Sequence, residues 1–408
     1  MKFLKVDSLE QAREKLLQAA GETFARTEEI ETKDAWGRCL AEDIFCTEMV
    51  PDFRRSTVDG YAVKAKDTQG AGESIPVFLK IAEEISIGKP AVHTLKSGEC
   101  AYVPTGGMVP DGADAMVMVE YTELFDDRNA AVYHAVSPGR NVVQIGEDAQ
   151  KGSLLLKKGT VLNAAGIGVL ASIGKSRVQV FRPWKQTIIS TGDELAPLGG
   201  TKNACEVYDV NTYGIRALAQ EAGLEITDTF VLQDDEELLE KTLRHALTTS
   251  DIVTVSGGSS QGKKDMTAQI IDKIALPGVW THGLALKPGK PTIVGMDQAS
   301  ETLLIGLPGH PVAAMMVFKL LVIWLKQNIF GEEKKKLIPA VMESNVPGAP
   351  GKATCQMVKL IQTDEGYLAR PVFGKSGLMS TLTQADGYVM LGINQEGLKT
   401  GERVYVEM

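Results

Sequence analysis

Cysteine is scarce in this chain. Its 408 residues include five cysteines, an odd number, and no two of them form a Cys-x-x-Cys pair. Their spacing indicates neither a zinc site nor a disulfide framework, so free thiols in a reducing compartment are expected. The five histidines are equally dispersed, and no pair at helical spacing predicts a transition-metal site.

The sequence also lacks a net positive charge, a long apolar run and a signal segment. Its net charge of −9 argues against nucleic acid as a partner, because phosphate backbones are bound by basic faces. The longest apolar runs, such as residues 312–325, are short and interrupted, so no membrane-spanning segment is expected. The first residues, Met-Lys-Phe-Leu-Lys-Val-Asp, contain neither an apolar core nor a cleavage site, and a cytoplasmic location is expected.

The length and the patterns that are present indicate several domains. A chain of 408 residues exceeds what one hydrophobic core usually organises. Ser8 and Gln11 predict a capping box ahead of an amphipathic helix that ends near Gly21. Residues 74–143 contain short β-like runs separated by Gly, Asp and Pro, which predicts a β-rich insertion.

From residue 183 to 330, helix and strand patterns alternate, which predicts a sheet with helices on both faces. Residues 163–173 are apolar and rich in Ala and Gly, and they predict a tightly packed helix. The expected fold is multi-domain, with α/β and β parts. Its four predicted parts are a mixed helical N-terminal domain (1–50 and 145–180), an inserted β-rich domain (51–144), a doubly wound α/β domain (181–330) and a C-terminal β-barrel-like domain (331–408).

Four loops rich in glycine and proline carry hydroxyls, lysines and carboxylates. In chain order they are residues 190–195 (Ser-Thr-Gly-Asp-Glu-Leu), 256–262 (Ser-Gly-Gly-Ser-Ser-Gln-Gly), 287–291 (Lys-Pro-Gly-Lys-Pro) and 306–312 (Gly-Leu-Pro-Gly-His-Pro-Val). In an open α/β sheet such loops gather at the carboxyl ends of the strands, where ligands bind. The last loop leads directly into a helical pattern, and free N–H groups at a helix start favour anions. One such loop can be an ordinary turn, but four in order predict a ligand site.

These loops occur together with five further motifs. They are residues 56–62 (Ser-Thr-Val-Asp-Gly-Tyr-Ala), 104–107 (Pro-Thr-Gly-Gly), 110–114 (Pro-Asp-Gly-Ala-Asp), 146–148 (Gly-Glu-Asp) and 375–377 (Lys-Ser-Gly). In order and spacing the whole set resembles the molybdopterin molybdenumtransferase (molybdenum insertase) family, and the C-terminal part of gephyrin is similar. The resemblance implies a Mg²⁺-dependent homodimeric enzyme. It would insert molybdenum from molybdate into adenylylated molybdopterin and release AMP.

The resemblance also implies roles for particular residues. Catalytic roles are expected for Asp59, Thr105, Asp148, Glu194, Asp234 and Asp265. Among them, Glu194, Asp234 and Asp265 are expected to hold Mg²⁺, which takes hard oxygen ligands. Asp59 and Thr105 lie in the insertion, which in this family reaches over the active site of a partner subunit. The alternatives are local: Asp59 and Thr105 could stabilise turns, Asp148 could cap a helix, and Asp234 could belong to a helix start.

Substrate binding is expected from the loops themselves. The residues are Ser190, Thr191, Gly192, Ser256, Gly257, Gly258, Ser260, Lys287, Gly289, Lys290, Pro291, Pro308, Gly309, Pro311 and Ser376. Lys287 and Lys290 are compact cations suited to phosphate or oxyanion charge. Ser260 and Ser376 offer hydroxyls to the oxyanion.

At four positions the chain departs from the family pattern. His310 and Ala313 replace an asparagine and a serine, Gly283 stands where a lysine is common, and Met357 aligns with an arginine that faces the oxyanion. Because charge-assisted bonds are strong, weaker oxyanion binding is expected unless Lys263 or Lys264 compensates. On this interpretation, Met357→Arg and Ala313→Ser would raise molybdate affinity.

Two alternative functions remain open from the sequence. The first is a divergent paralogue that binds molybdopterin or finished cofactor without efficient insertion, or that uses tungstate. The second is a scaffold comparable to the receptor-clustering role of gephyrin. The second is less favoured, because the chain has no proline-rich linker and no extra binding module.

Overall fold

The computed structural model describes residues 6–257, 264–332 and 337–408, and of residues 264 and 265 it describes the backbone only. A six-stranded sheet lies at the centre of the fold. Its spatial order is Glu225–Leu232, Lys185–Thr191, Ile252–Gly257, Thr302–Leu307, Ile293–Asp297 and Pro277–His282. The first four strands are parallel, and the last two pair in antiparallel fashion. The predicted doubly wound α/β domain is confirmed, with an antiparallel pair added at one edge.

Helices cover both faces of this sheet. Asn211–Glu221 and Pro311–Phe318 pack together on one face, and Glu236–Thr249 and Lys264–Ile274 pack together on the other. Because neighbouring strand residues point to opposite faces, Ile188 contributes to one core and Ile189 to the other. Helix Glu236–Thr249 begins after Asp235, whose side chain accepts the Leu238 N–H as a cap.

The carboxyl ends of the four parallel strands meet at one edge of the sheet. These ends are Leu232, Thr191, Gly257 and Leu307. The antiparallel strand Ile293–Asp297 starts at the same edge, since Ile293 pairs with Gly306. All four predicted loops therefore leave or enter the sheet along this edge.

The helix after the last parallel strand is longer than its interrupted apolar pattern suggests. A helical run extends from Pro311 to Phe330, with a π-helical stretch at Lys319–Ile323 and a final segment at Trp324–Phe330. Its 20 residues meet the length and hydropathy needed to cross a membrane, so the expectation of a run that is too short is wrong on length. In the structure 61% of its most apolar window is buried. Packing in the domain core therefore accounts for the apolar residues.

The N-terminal helix Leu9–Ala20 packs on the α/β domain. Its predicted capping box is confirmed, with Ser8 and Gln11 bonding each other's backbone N–H groups. Leu16 joins the core that also contains Trp184. The Arg13 guanidinium donates to the Leu320 carbonyl at 3.0 Å. Helix Leu9–Ala20 therefore shares the α/β core, whereas the sequence interpretation grouped residues 1–50 with residues 145–180.

The rest of the N-terminal part has a small core of its own. Its elements are strands Thr27–Glu31 and Arg177–Phe181, which pair with each other, strands Ile44–Phe45 and Leu154–Leu156, which also pair, and helix Ala164–Ser172. The predicted helix is present, but tight packing is wrong, because only Gly166 and Leu170 of its residues are buried. The apolar composition of this helix does not indicate which of its faces are covered by other elements.

The insertion is a second six-stranded sheet. Its order is Ala115–Met118, Gly60–Val63, Glu99–Val103, Val77–Glu84, Asn129–Val132 and Thr122–Asp126. Separate apolar clusters contain Tyr61 and Ala62, neighbours that point to opposite faces of the sheet. Strands Arg55–Ser56 and Val142–Val143 pair where the insertion leaves and rejoins the N-terminal part.

The predicted C-terminal barrel is confirmed. Its strands are Ile338–Met342, Ala353–Thr363, Gly366–Pro371, Gly387–Leu391 and Arg403–Val406. Mutual hydrogen bonds between Tyr388 and Glu407 close the ring. Strand Leu286–Lys287 of the α/β domain pairs with Ala353, which ties the barrel to the Lys-Pro-Gly-Lys loop. The remaining elements are short strands Leu195–Ala196, Val207–Tyr208, Val346–Pro347 and Gly397–Leu398, helix Ser380–Gln384, and 3₁₀ turns Gly21–Ala25, Thr32–Asp34, Ala65–Thr68 and Val119–Tyr121.

All five cysteines are free thiols, as expected. Four are buried, and Cys205 is exposed. Burial raises the pKa of Cys39 and of Cys100 to about 12 and holds the pKa of Cys355 well above its usual value. These three thiols are therefore poor nucleophiles and poor metal ligands near neutral pH.

Candidate functional site

A cavity of about 370 Å³ opens at the carboxyl edge of the central sheet. Residues from three of the four predicted loops line it, together with the segment before helix Asn211–Glu221 and one residue of the C-terminal domain. The described lining residues are Ser190, Thr191, Glu194, Leu195, Val207, Tyr208, Asp209, Val210, Asn211, Ser256, Gly257, Gly309, His310, Pro311 and Gly377. Its volume falls within the range of small-molecule sites.

Buried hydroxyls form one wall of this cavity. The Ser190 Oγ lies 3.0 Å from the Ser256 Oγ and 2.8 Å from the Thr212 Oγ1. The same hydroxyl donates to the Asp209 Oδ1 at 3.3 Å, and the Thr212 N–H donates to that oxygen at 3.1 Å. Because these groups are almost fully buried, the bonds hold two strand ends and a helix start in fixed relative positions.

Asp209 and Asn211 are site residues that the sequence interpretation missed. The Asn211 amide donates to the Gly309 carbonyl at 3.0 Å, so it supports the turn in the Leu-Pro-Gly-His loop. The available signal was Tyr208-Asp-Val-Asn211, a polar pair directly before a helical pattern. Asp209 Oδ2 and Asn211 Oδ1 are buried, and neither has a hydrogen-bond partner among the described residues.

The predicted acidic residues lie at two neighbouring strand ends. Glu194 lines the cavity, and the Asp234 N–H donates to the Asp193 Oδ1 at 3.0 Å. Within the described parts of the chain, no three His, Cys, Asp or Glu side chains are grouped closely enough to hold a metal ion. The side chain of Asp265, the third predicted ligand, lies outside the described residues, so the magnesium site stays a prediction.

Two glycines bring the backbone close to these side chains. A Cβ added to Gly192 would lie 2.8 Å from a Glu194 carboxylate oxygen, and one added to Gly257 would lie 2.5 Å from the Thr191 Oγ1. Gly192 and Gly257 therefore leave space that Glu194 and Thr191 occupy. Pro308 is buried beside the lining residue Gly309. Of the other predicted residues in these loops, Gly258 and Ser260 lie outside the described residues.

The Lys-Pro-Gly-Lys loop lies at the same edge of the sheet but is not part of the described cavity lining. Lys287, Lys290 and Pro291 are exposed. Gly289 has φ 132°, a conformation that favours glycine, and its carbonyl accepts the Thr292 hydroxyl at 2.7 Å. The loop therefore presents two exposed cations at the same sheet edge as the cavity.

The departure at Gly283 has a local physical reason. Its φ is 113°, a positive value that residues other than glycine rarely adopt. An added Cβ would also approach the Val6 side chain at 3.2 Å. A lysine at this position would therefore strain the backbone.

Ser376 reaches the cavity rim from the C-terminal domain. Its Oγ lies 2.8 Å from the His310 Nδ1, and its carbonyl accepts the Val312 N–H at 3.1 Å. The residue that replaces the expected asparagine, His310, therefore contacts the predicted oxyanion-binding serine. The adjacent Gly377 lines the cavity.

The expectation for Met357 is wrong. Its side chain is 6% exposed and belongs to the apolar core that the barrel shares with the α/β domain. It shares a strand face with Ala353 and Cys355, which belong to the same core. It is not among the described cavity lining. Ala313 is also buried, in the first turn of the helix that follows Pro311.

We expect Met357→Arg to destabilise the protein by about 2–3 kcal/mol, because an unpaired guanidinium would enter an apolar core. Met357→Leu, which conserves volume, should cost less than about 1.5 kcal/mol. Urea denaturation of the two variants measures the difference. An arginine variant as stable as the leucine variant, with higher molybdate affinity, would instead restore the oxyanion-facing interpretation.

Asp59 and Thr105 lie together at one end of the inserted sheet. The Asp59 Oδ1 accepts the Thr105 N–H at 2.8 Å, and both residues are exposed. Asp148 is exposed as well, and its N–H donates to the Val50 carbonyl at 3.0 Å. None of these three residues belongs to the described cavity lining.

Comparison with known protein families accounts for almost the whole chain. Residues 7–174 match the model described as MoeA N-terminal region (domain I and II). Residues 187–327 match "Probable molybdopterin binding domain". Residues 339–408 match MoeA C-terminal region (domain IV).

Individual relatives extend over the same length. The molybdopterin molybdenumtransferase of Haemophilus influenzae is 31% identical over 405 residues, covering 98% of each chain. The protein of the same name from Bacillus subtilis is 32% identical and covers 93% of this chain and 89% of its own. The crystal structure of the molybdopterin biosynthesis MoeA protein from Pyrococcus horikoshii matches with a TM-score of 0.78 and 36% identity, over 98% of both chains.

Proposed function

We propose, from the premise that this chain belongs to the molybdopterin molybdenumtransferase family, that it transfers molybdenum from molybdate to adenylylated molybdopterin in the cytoplasm. The general role, in molybdenum cofactor biosynthesis, follows from family membership. The proposal adds the adenylylated substrate, the release of AMP and the need for Mg²⁺. The observation that carries it is the cavity, where carboxylate, hydroxyls and glycine turns of three loops meet at one sheet edge.

The carboxylates predicted for this edge are donors of the kind that magnesium prefers. Glu194 and Asp234 would hold the ion, with Asp265 as the third predicted ligand, and water and phosphate oxygens would complete the shell. Bound there, Mg²⁺ would neutralise charge on the pyrophosphate of the adenylate and favour cleavage of its P–O bond. The Asp193 carboxylate fixes the backbone at Asp234 through its 3.0 Å hydrogen bond. The Ser190 and Ser256 hydroxyls keep the adjoining strand ends in register.

Molybdate is expected on the side of the cavity nearest residues 287–290. The described lining includes Glu194 and Asp209 and no lysine or arginine, which disfavours a dianion inside the cavity. Lys287 and Lys290 supply positive charge beside it. Ser376, held by His310, supplies a hydroxyl at the rim.

The test is to incubate the purified protein with adenylylated molybdopterin and Mg²⁺, then follow AMP release with molybdate, with tungstate and with neither. Molybdate-dependent release that disappears with a chelator supports the proposal. Tight binding of the substrate without release would favour a paralogue that binds without insertion. Release with tungstate alone would assign the other oxyanion, and the altered Gly283 and His310 positions make this comparison informative.

We expect Gly192→Ala to slow AMP release by about ten- to a hundredfold, because displacing a catalytic group by about 1 Å can slow a reaction by about a hundredfold. The new methyl group would lie 2.8 Å from the Glu194 carboxylate, which must move, while the backbone φ at Gly192 allows alanine. Gly168→Ala is the control, since its Cβ would meet no atom within 4 Å. Equal rates for the two variants would show that the position of Glu194 is unimportant.

A further inference from the structure

The contact between His310 and Ser376 joins two domains at the cavity rim. His310 belongs to the loop of residues 306–312 and lines the cavity, whereas Ser376 belongs to the C-terminal domain. The His310 Nδ1 lies 2.8 Å from the Ser376 Oγ, and the Ser376 carbonyl accepts the Val312 N–H at 3.1 Å. The backbone bond fixes the serine beside the helix start, so the two side chains have a defined geometry at an exposed position.

Helix capping does not account for the His310 side chain. His310 occupies the N-cap position of helix Pro311–Phe318, where a side chain commonly accepts a backbone N–H of the first turn. Its side chain makes no such bond, and it is exposed, so no core depends on it. The imidazole is therefore available to act on Ser376 and on a ligand at the rim.

The direction of the hydrogen bond between these two side chains depends on the proton at Nδ1. A ring nitrogen without a proton accepts, so the Ser376 hydroxyl donates its hydrogen to Nδ1 and has only lone pairs left for a ligand. A protonated Nδ1 donates to the Oγ instead, which leaves the hydroxyl hydrogen free to bind an anion. The imidazolium always has the second arrangement, whereas the neutral ring has it in one of its two tautomers.

His310 is also the one side chain of the described cavity lining that can carry a positive charge. The other titratable or charged groups of the lining, of the segment before Ser376 and of the neighbouring loop at this sheet edge are Glu194, Tyr208, Asp209, Lys375, Lys287 and Lys290. The first turn of the helix that follows His310 contains no acidic residue. Carboxylates, phenols and ammonium groups ordinarily change charge outside the range from about pH 5 to about pH 8, whereas imidazole changes charge within it.

We infer that His310 is a positioning residue whose protonation directs the Ser376 hydroxyl toward a bound anion, so that the affinity of this rim for a tetrahedral oxyanion depends on pH. The inference rests on the proposed function for the identity of that oxyanion, molybdate or tungstate. Protonation supplies a donor hydroxyl and a positive charge together. An asparagine, the residue of the family pattern at this position, would not titrate, so the pH dependence belongs to the histidine.

The experiment measures binding of molybdate, and in parallel of tungstate, to the full-length protein by equilibrium dialysis at about pH 6 and about pH 8. The wild-type protein should bind its oxyanion about three- to tenfold more tightly at the lower pH, the effect of one positive charge near an anion at an exposed site. His310→Asn should bind it with equal affinity at both pH values. His310→Gln is the second variant if the asparagine variant does not fold, and it should also lose the pH dependence.

Ser376→Ala separates action through the hydroxyl from simple attraction by a charged ring. If His310 acts through the hydroxyl, its removal should weaken binding about tenfold at about pH 6, the size of one charge-assisted hydrogen bond, and less than about threefold at about pH 8. An equal loss at both pH values would overturn the inference, because the imidazolium would then attract the anion without orienting Ser376.

His245→Asn is the matched control. His245 is an exposed histidine of helix Glu236–Thr249 that does not belong to the described cavity lining. This variant should keep the full pH dependence of the wild-type protein. Loss of the pH dependence in His245→Asn and not in His310→Asn would assign the titration to the wrong face of the sheet and overturn the inference.

Three further results would overturn the inference. They are no saturable binding of either oxyanion, a wild-type affinity that does not rise at the lower pH, and a pH dependence that persists in His310→Asn. The AMP-release assay separates this failure from failure of the proposed function. Release by a wild-type protein whose oxyanion affinity is independent of pH overturns only the inference, whereas pH-dependent binding through Ser376 without release overturns only the insertion reaction.

Discussion

Glu194→Gln is expected to reduce molybdate-dependent AMP release by at least about a thousandfold, because a carboxylate that holds a catalytic metal contributes several kcal/mol to transition-state stabilisation. Glutamine conserves the shape of the side chain but removes its charge. Glu194 is exposed at the cavity, and its carboxylate packs against Gly192, so no core depends on it. The thermal transition should therefore stay unchanged while the rate falls.

Glu221→Gln is the control for Glu194→Gln. Glu221 is an exposed carboxylate at the end of helix Asn211–Glu221 that lies away from the cavity. Its loss should leave the rate of AMP release unchanged. If Glu194→Gln releases AMP as fast as Glu221→Gln does, the metal assignment is wrong, and a lost thermal transition would indicate a structural role instead.

Two inactive variants are expected to restore activity when they share a dimer. Asp59→Asn should inactivate the insertion, and Glu194→Gln should inactivate the cavity. Because Asp59 and Thr105 contact each other but are absent from the described cavity lining, we propose that a second copy supplies them. A heterodimer of the two variants then contains one intact composite site and should have about half of the wild-type activity, by the symmetry of a dimer.

The heterodimer is isolated with two different affinity tags, and AMP release is compared with each parent variant. The aspartate-to-asparagine change keeps an oxygen for the Thr105 N–H, so the inserted sheet should be undisturbed. A heterodimer as inactive as both parents would place the complete site within one chain. Sedimentation as a monomer at micromolar concentration would count equally strongly against the composite site.

Local patterns were sufficient where a feature depends on nearby residues. The capping box of Ser8 and Gln11 uses bonds that span three residues, so sequence spacing predicted it. The gathering of the loops was also predictable. Alternating strands and helices require parallel strands, and the ends of parallel strands meet at one edge.

Residues that depend on packing between distant segments were not predictable in this way. Met357 lies on a strand with two covered faces. The face with Val358 points into the barrel, and the α/β domain covers the face with Met357. No pattern within the strand reveals that cover. Helix Ala164–Ser172 shows the converse, since its apolar composition predicted tight packing, whereas only Gly166 and Leu170 of its residues are buried.

The sequence by itself determined the family, the order of the domains and the loops that form the site, because motif spacing and the alternation of strand and helix patterns are properties of the chain. Only the tertiary structure decided which side chains meet. It brought Ser376 to His310, placed Asp59 and Thr105 together outside the described cavity lining, and left the Asp209 and Asn211 oxygens without described partners. The physical reason is that burial and hydrogen bonding depend on contacts between segments far apart in the chain, and no local spacing encodes them.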